Sequence, residues 1–235
     1  KSGVTIFFNE RVISANPDAN TVETNKKNSF KYGHLINCTG QYSDVVSKIF
    51  NVSKQYTLLP FKGIYYGLSK FSKIKLNGLI YPVPDLNVPF LGIHSVKLVD
   101  GNVYFGPTAI PAFGREHYKG FKGINIKDAT SISYHLLRQY INDKQGFRSY
   151  THQEIHRLLK SEFLKSAQSL IPNLSNNDLV VSQKVGIRAQ LLDKSCNELV
   201  MDFVVERVDN TTHVLNAVSP AFTSAFSFAK YILNK

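Results

Sequence analysis

Three features of this 235-residue chain are of types and in settings that can do chemistry. Arg188 stands in the run Val185-Gly186-Ile187-Arg188-Ala189-Gln190. An arginine among apolar residues needs a partner, because an unpaired buried charge is costly. Its planar fork suits a carboxylate held by two parallel hydrogen bonds. From spacing alone an internal salt bridge is the simpler account. His94 is flanked by Leu91, Ile93 and Val96, and an imidazole poised near neutrality is a candidate proton acceptor. A lone strand histidine is more often structural. The third feature is Ser219-Pro220-Ala221-Phe222-Thr223. It reads as a helix start, with Ser219 as cap and Pro220 in the first turn. Free amides and the helix dipole there favour an anion, although most such caps serve stability alone.

These residues need elements to position them. Residues 3–38 read as a β-meander, with a strand over Val4–Ala15, a turn at Asn16–Asn20 and a short strand at His34–Cys38. Val45, Val46, Ile49 and Phe50 then recur at helical spacing. Gly63–Leu68, Gly78–Tyr81, Phe90–Val99 and Asn102–Ile110 read as antiparallel strands. Asp100-Gly101 is a two-residue hairpin signal, which registers His94 opposite Pro107 and next to Thr108. Helices are expected over Asp128–Asn142 and from a capping box at Thr151-His152-Gln153-Glu154 to about Leu170. His152 and His156, four apart, read as exposed helix residues, and no metal site is expected. Strands return over Leu179–Leu192, Leu199–Val208 and His213–Asn216, before a last helix from Ser219-Pro220 to about Leu233.

Composition narrows the function classes. With 43% hydrophobic and 19% charged residues, the chain has the usual globular mix and enough apolar mass for a substantial core. The formal charge is +11, but the lysines are scattered and the aromatics sit in strand-like runs. A solvated basic surface is therefore expected, not nucleic-acid binding. Cys38 and Cys196 form no CxxC pair, so zinc and dithiol chemistry have little support and a reducing compartment is the simplest inference. No apolar run approaches a membrane span. The chain opens at Lys1 directly into Val4-Thr5-Ile6-Phe7-Phe8, which reads as a cut through a longer protein.

Taken together, the motifs resemble a family. Lys62-Gly63-Ile64-Tyr65-Tyr66, Gly78-Leu79-Ile80-Tyr81-Pro82-Val83-Pro84-Asp85, Pro89-Phe90-Leu91-Gly92-Ile93-His94 and Gly106-Pro107-Thr108-Ala109 resemble L-2-hydroxyglutarate dehydrogenases/oxidases. So do Gly186-Ile187-Arg188-Ala189-Gln190 and Asn216-Ala217-Val218-Ser219-Pro220-Ala221. Their wider relatives are the D-amino-acid-oxidase-like flavoproteins. The Asn37-Cys38-Thr39-Gly40 run resembles the strand end that approaches the flavin dinucleotide in this family.

The resemblance implies an α/β (α+β) fold: part of an FAD/NAD(P)-binding domain plus an antiparallel-sheet substrate domain of the D-amino-acid-oxidase type. Expected bounds are 1–55 for a C-terminal portion of the FAD-binding domain, 56–178 for the substrate domain, and 179–235 for the return to the FAD-binding domain with the final helix. It implies FAD as cofactor and a dicarboxylate, most specifically L-2-hydroxyglutarate, as substrate. By analogy Arg188 holds the substrate carboxylate, His94 accepts the hydroxyl proton, and Tyr65, Tyr66 and Thr108 line the substrate site. Gly40 and Ser219, Pro220, Ala221, Phe222 and Thr223 contact FAD. An electron acceptor is a further implied partner: oxygen, a quinone or a carrier protein. The expected location is cytoplasmic, with peripheral contact to the inner membrane left open, and mitochondrial for a eukaryotic source.

Departures from the family pattern are visible. No GxGxxG occurs in the 235 residues, so the dinucleotide fingerprint is absent, and the chain alone is expected to bind FAD poorly. Lys62, Thr108 and Phe222 stand where the family has arginine, asparagine and a small residue. An amine or amino-acid oxidase on the same fold, and a truncated, non-catalytic module, are the alternatives.

Overall fold

The computed structural model describes residues 3–83, 90, 92–218 and 221–234. In chain order the strands and helices are β1 (Val12–Asn16), β2 (Thr21–Thr24), β3 (Ser29–Lys31), β4 (Leu35–Asn37), α1 (Ser43–Ile49), β5 (Tyr56–Leu68), β6 (His94–Lys97), β7 (Val103–Gly106) and β8 (Ile110–Pro111). There follow α2 (Ile126–Asn142), α3 (Phe147–His156), α4 (Lys160–Gln168), β9 (Leu179–Asp193), β10 (Glu198–Leu199), β11 (Val204–Val208), β12 (Thr211–Asn216) and α5 (Ala225–Asn234). The mixture of helices with largely antiparallel sheets is the α/β (α+β) class expected from the motifs. The chain divides into two compact units, 1–58 with 202–235, and 59–201. The boundary thus falls after Met201, and β9 and β10 pack in the second unit.

In the first unit β1, β2 and β3 form an antiparallel meander. The turn between β1 and β2 is set by local chemistry. The Asn16 side chain accepts the Ala19 amide at 3.1 Å, and Asn20 takes the left-handed backbone that asparagine tolerates (φ 51°). Val22 faces inward against Phe50 and Val52. The strand expected from Val4 begins only at Val12. Val4, Ile6, Phe7 and Phe8 are exposed, since an apolar run becomes a strand only where another strand takes its backbone hydrogen bonds.

The second sheet of this unit runs β11-β12-β4, with β12 parallel to β4 and Thr211 opposite Leu35. Distant parts of the sequence thereby form one sheet. Asn37 at the end of β4 locks the junction. Its amide donates to Ser43 O at 2.9 Å and meets His213 Nδ1 at 3.1 Å, while its carbonyl accepts Thr39 Oγ1 at 2.7 Å. His213 is fully buried, and its Nε2 meets Thr211 Oγ1 at 3.0 Å. Burial pushes this imidazole down to about 4.

The last helix begins at Ala225, not at Ser219. Residues 221–224 form turns, and the i to i+4 pattern starts with Phe228 N–H donating to Ser224 O at 2.8 Å. Ser-Pro suits a turn as well as a helix start, which is why the sequence signal misplaced it. Ser219 and Pro220 themselves lie outside the described residues.

In the second unit the sheet order is β10-β9-β5-β7-β6, with β8 also on β5. Phe105 and Phe163, both fully buried, centre one core cluster, and Leu59, Phe61, Leu192 and Phe147 a second. The β6–β7 hairpin differs from expectation by one residue. His94 pairs with Gly106, because the loop holds three residues between Leu98 and Asn102. Gly101 supplies the positive φ (84°) that this loop needs, and the Asp100 carboxylate holds the Asn102 amide at 2.9 Å.

Two helix expectations also shift. Asn125 caps α2, accepting from the Lys127 amide. Thr151 caps nothing: it lies inside α3 with its hydroxyl on Phe147 O at 2.7 Å. The expected single helix to Leu170 is two helices, α3 and α4. Ile155, Leu158 and Leu159 are exposed while Phe163 and Ala167 are fully buried. The apolar spacing therefore continues across a break where the buried face changes.

Two outcomes follow from this packing. Phe163→Ala should cost about 3–5 kcal/mol, as for other buried phenylalanines, read by urea denaturation. For His213, the folded value lies below the unfolded one near 6.5. Above pH 6.5 the ring is neutral in both states. Below it the unfolded chain takes the proton first, so stability is lost between pH 6.5 and about 4, by about 3 kcal/mol at most. His213→Gln should flatten that part of the pH–stability curve.

Candidate active site

The alternation of β5 builds one wall of a cavity in the second unit. Phe61, Gly63 and Tyr65 share a face and line it. Tyr66, one residue on, points the other way and packs on Phe163 with ring centroids 4.6 Å apart. It is a core residue, not a wall of the site as its motif suggested. Gly63 is required by close approach: a Cβ there would sit 2.5 Å from Pro107 Cβ. Thr108 is buried on the same wall, and its hydroxyl accepts the Ile64 amide at 3.1 Å.

β9 brings Gly186 and Arg188 to the cavity. Arg188 stands over the Phe90 ring at 5.3 Å, and Phe90 stacks on Tyr150 of α3 at 4.9 Å. Burial lowers the affinity of the Arg188 guanidinium for its proton, while Tyr150, Tyr65 and Glu154 raise it. Glu154 is buried. It accepts the Ala109 amide at 2.5 Å and pairs with Arg157. Burial first, and Glu154 second, drive the Tyr150 phenol far above its ordinary range. Burial likewise raises Tyr65, against an opposing pull from Arg188. Both phenols are therefore neutral at physiological pH. The cavity holds about 170 Å³. An apolar cavity of about 150 Å³ accommodates benzene, so this volume suits a small organic acid.

His94 lies at the start of β6, stacked on Tyr81 with centroids 4.6 Å apart. Its Nδ1 meets Gly92 O at 3.1 Å, which makes Nδ1 the donor and leaves the lone pair on Nε2. Burial lowers its proton affinity, the Gly92 carbonyl opposes this, and the Arg188 charge lowers it again. A neutral imidazole with a free acceptor nitrogen can take a proton.

The residues expected at FAD lie in the first unit. Gly40 follows β4 with φ 56°, and no heavy atom lies within 4 Å of a Cβ built there. Its backbone is open to close approach by a ligand at the carboxyl end of a parallel strand, the usual place for ligands in such sheets. Ala221, Phe222 and Thr223 lie in the turns before α5, with Phe222 93% exposed. The open backbone at Gly40 leaves room for a ligand there, and these residues do not replace a glycine-rich phosphate loop.

Sequence reasoning missed Tyr150, and read Glu154 only as a helix cap. The pair sits at i, i+4 on α3, so both side chains share a face. That spacing was the available signal. No group of three or more potential metal ligands occurs among the described residues, and none of their helices is long and apolar enough to cross a membrane. His152 Nε2 meets the Tyr140 hydroxyl at 2.8 Å.

Comparison with known proteins fits this arrangement. Residues 1–234 match the family described as DAO, FAD dependent oxidoreductase. The chain is 36% identical over 235 residues to an L-2-hydroxyglutarate dehydrogenase of Indibacter alkaliphilus, covering 96% of this chain and 56% of that protein. It is 37% identical to the mitochondrial L-2-hydroxyglutarate dehydrogenase of Nematostella vectensis, covering 92% and 47%, and 32% identical to the L-2-hydroxyglutarate dehydrogenase of Escherichia coli, covering 99% and 55%. The chain thus spans about half the length of these curated relatives. Among solved structures, the FAD-bound L-alpha-glycerophosphate oxidase of Mycoplasma pneumoniae shares the fold, with a TM-score of 0.60 at 19% identity over 96% of this chain and 49% of that one. Sequence match, fold and an open glycine turn at the end of β4 agree: this chain belongs to the DAO family of FAD-dependent oxidoreductases.

Proposed function

We propose that the whole protein oxidises a 2-hydroxy acid, L-2-hydroxyglutarate to 2-oxoglutarate, with FAD as cofactor and hydride transfer from C2 to flavin N5. The observation that carries this reading is Arg188: a guanidinium in an aromatic cavity of small-acid size. The names of relatives at 32–37% identity support the choice of acid.

In this mechanism Arg188 binds the C1 carboxylate through its fork, a strong and directional contact in a water-poor site. The neutral phenols of Tyr65 and Tyr150 flank it without adding negative charge. Thr108 and Gly63 shape the wall. His94, neutral and with the lone pair on Nε2, accepts the C2 hydroxyl proton. Bound FAD supplies the two-electron acceptor. Gly40 and the Ser219–Thr223 segment would hold its edge. Oxygen, a quinone or a carrier protein would be the final electron acceptor, and contact with a membrane surface would go with a quinone.

Three measurements test the reading. FAD-loaded full-length protein mixed with L-2-hydroxyglutarate and a dye acceptor should bleach its flavin and release 2-oxoglutarate. No bleaching, or bleaching only by glycine, sarcosine or D-amino acids, would overturn the assignment. Arg188→Lys should lower kcat/KM by about 100-fold or more, because a point charge replaces a bidentate clamp in a desolvated site. The kcat/KM profile should fall on the acid side at a pH below the ordinary 6.5 of imidazole, as His94 gains a proton and ceases to be a base. In His94→Gln the residual rate should lose that limb.

A further inference from the structure

Resting on the reading above, the structure also bears on which acids the cavity prefers. On β9, Lys184, Gly186 and Arg188 alternate onto one face. Gly186 lines the cavity, and no heavy atom lies within 4 Å of a Cβ built on it. Arg188 lines the cavity and the exposed Lys184 stands just outside its lining beyond Gly186, the two about 13 Å apart at their Cα atoms by strand rise, with long side chains that shorten the gap. Both border Tyr65. Arg188 acts on its phenol, and the Lys184 ammonium sits 5.2 Å from its ring centroid and 4.8 Å from that of Tyr104.

Glu154 is paired with Arg157. Asp100, the carboxylate that acts on Lys184 through space, is engaged by the Asn102 amide and side chain. Among the described residues Lys184 forms no ion pair. Aromatic faces hold an ammonium in place without neutralising it. With a carboxylate on Arg188, Lys184 is a positioned cation at the far side of Gly186.

We propose that Lys184 binds the distal carboxylate of a dicarboxylic acid laid across Gly186, with the proximal carboxylate on Arg188. Lys184 is then the specificity residue that separates dicarboxylic from monocarboxylic 2-hydroxy acids. The bland account is that Lys184 only packs on two tyrosines, and the test must separate the two.

Glutarate and pentanoate share a five-carbon skeleton and differ in the second carboxylate. Their binding to FAD-loaded full-length protein is measured by calorimetry, which needs no turnover. The wild type should prefer glutarate. Lys184→Ala should weaken glutarate about tenfold or more, the usual scale for losing a charge-assisted hydrogen bond, and leave pentanoate within about twofold. Lys184→Arg should restore most of the preference, and Arg188→Lys should weaken both acids. Unchanged glutarate binding in Lys184→Ala, equal weakening of both acids, or a wild type without preference would each overturn the proposal. Failure of the oxidation itself is a separate result. Retained glutarate preference without turnover of L-2-hydroxyglutarate sinks the reaction and leaves Lys184 in place.

Discussion

A guanidinium kept charged inside an aromatic cavity is the constraint on which the rest of the second unit depends. Taking such an ion out of water costs several kcal/mol. The surroundings offset this in parts. The Phe90 face lies 5.3 Å below Arg188, a contact worth about 0.5–2 kcal/mol. Glu154 contributes a negative charge at longer range, although its own hydrogen bonds go to Ala109 and Arg157. Arg157, paired with Glu154, and Arg188 bring two cations and one carboxylate to this end of the cavity.

That requirement explains the neighbouring architecture. Glu154 must be buried, so α3 is pinned to the strand end at Ala109. Tyr150, one turn earlier, is thereby set against Phe90 and Arg188. Gly63 must be glycine because Pro107 passes too close for a side chain. Each of these narrows the cavity, and each comes from a different element. The first unit has an analogous knot. Asn37 satisfies its whole amide group at the end of β4, and His213 answers it from β12, which leaves Gly40 open beyond them.

Much of this was legible in the residues. The ordered motifs pointed to the family and to Arg188, Tyr65, Thr108 and Gly40, and the strand and helix types followed from apolar period. The misreadings share a cause. Val4–Phe8 lacked a partner strand, the last helix begins at Ala225 and not at the Ser-Pro signal, and the Thr151–Glu154 pattern matched a cap by composition alone. Each is a local signal satisfied equally well by another structure, and only neighbours distant in sequence choose between them. The one-residue shift in the β6–β7 hairpin is of the same kind, since Asp-Gly fits both two- and three-residue loops.

The sequence alone determined what is covalent or strictly local: the family motifs, the alternation that sends Tyr65 and Tyr66 to opposite faces, and the glycines where no side chain can stand. The tertiary structure decided which of the two tyrosines meets Arg188, that Tyr150 and Glu154 belong to its surroundings, and that Lys184 shares a tyrosine with it. Burial and long-range pairing are properties of the packed chain. A side chain's charge and proton affinity depend on what lies within a few ångströms, and that neighbourhood is assembled from segments more than a hundred residues apart.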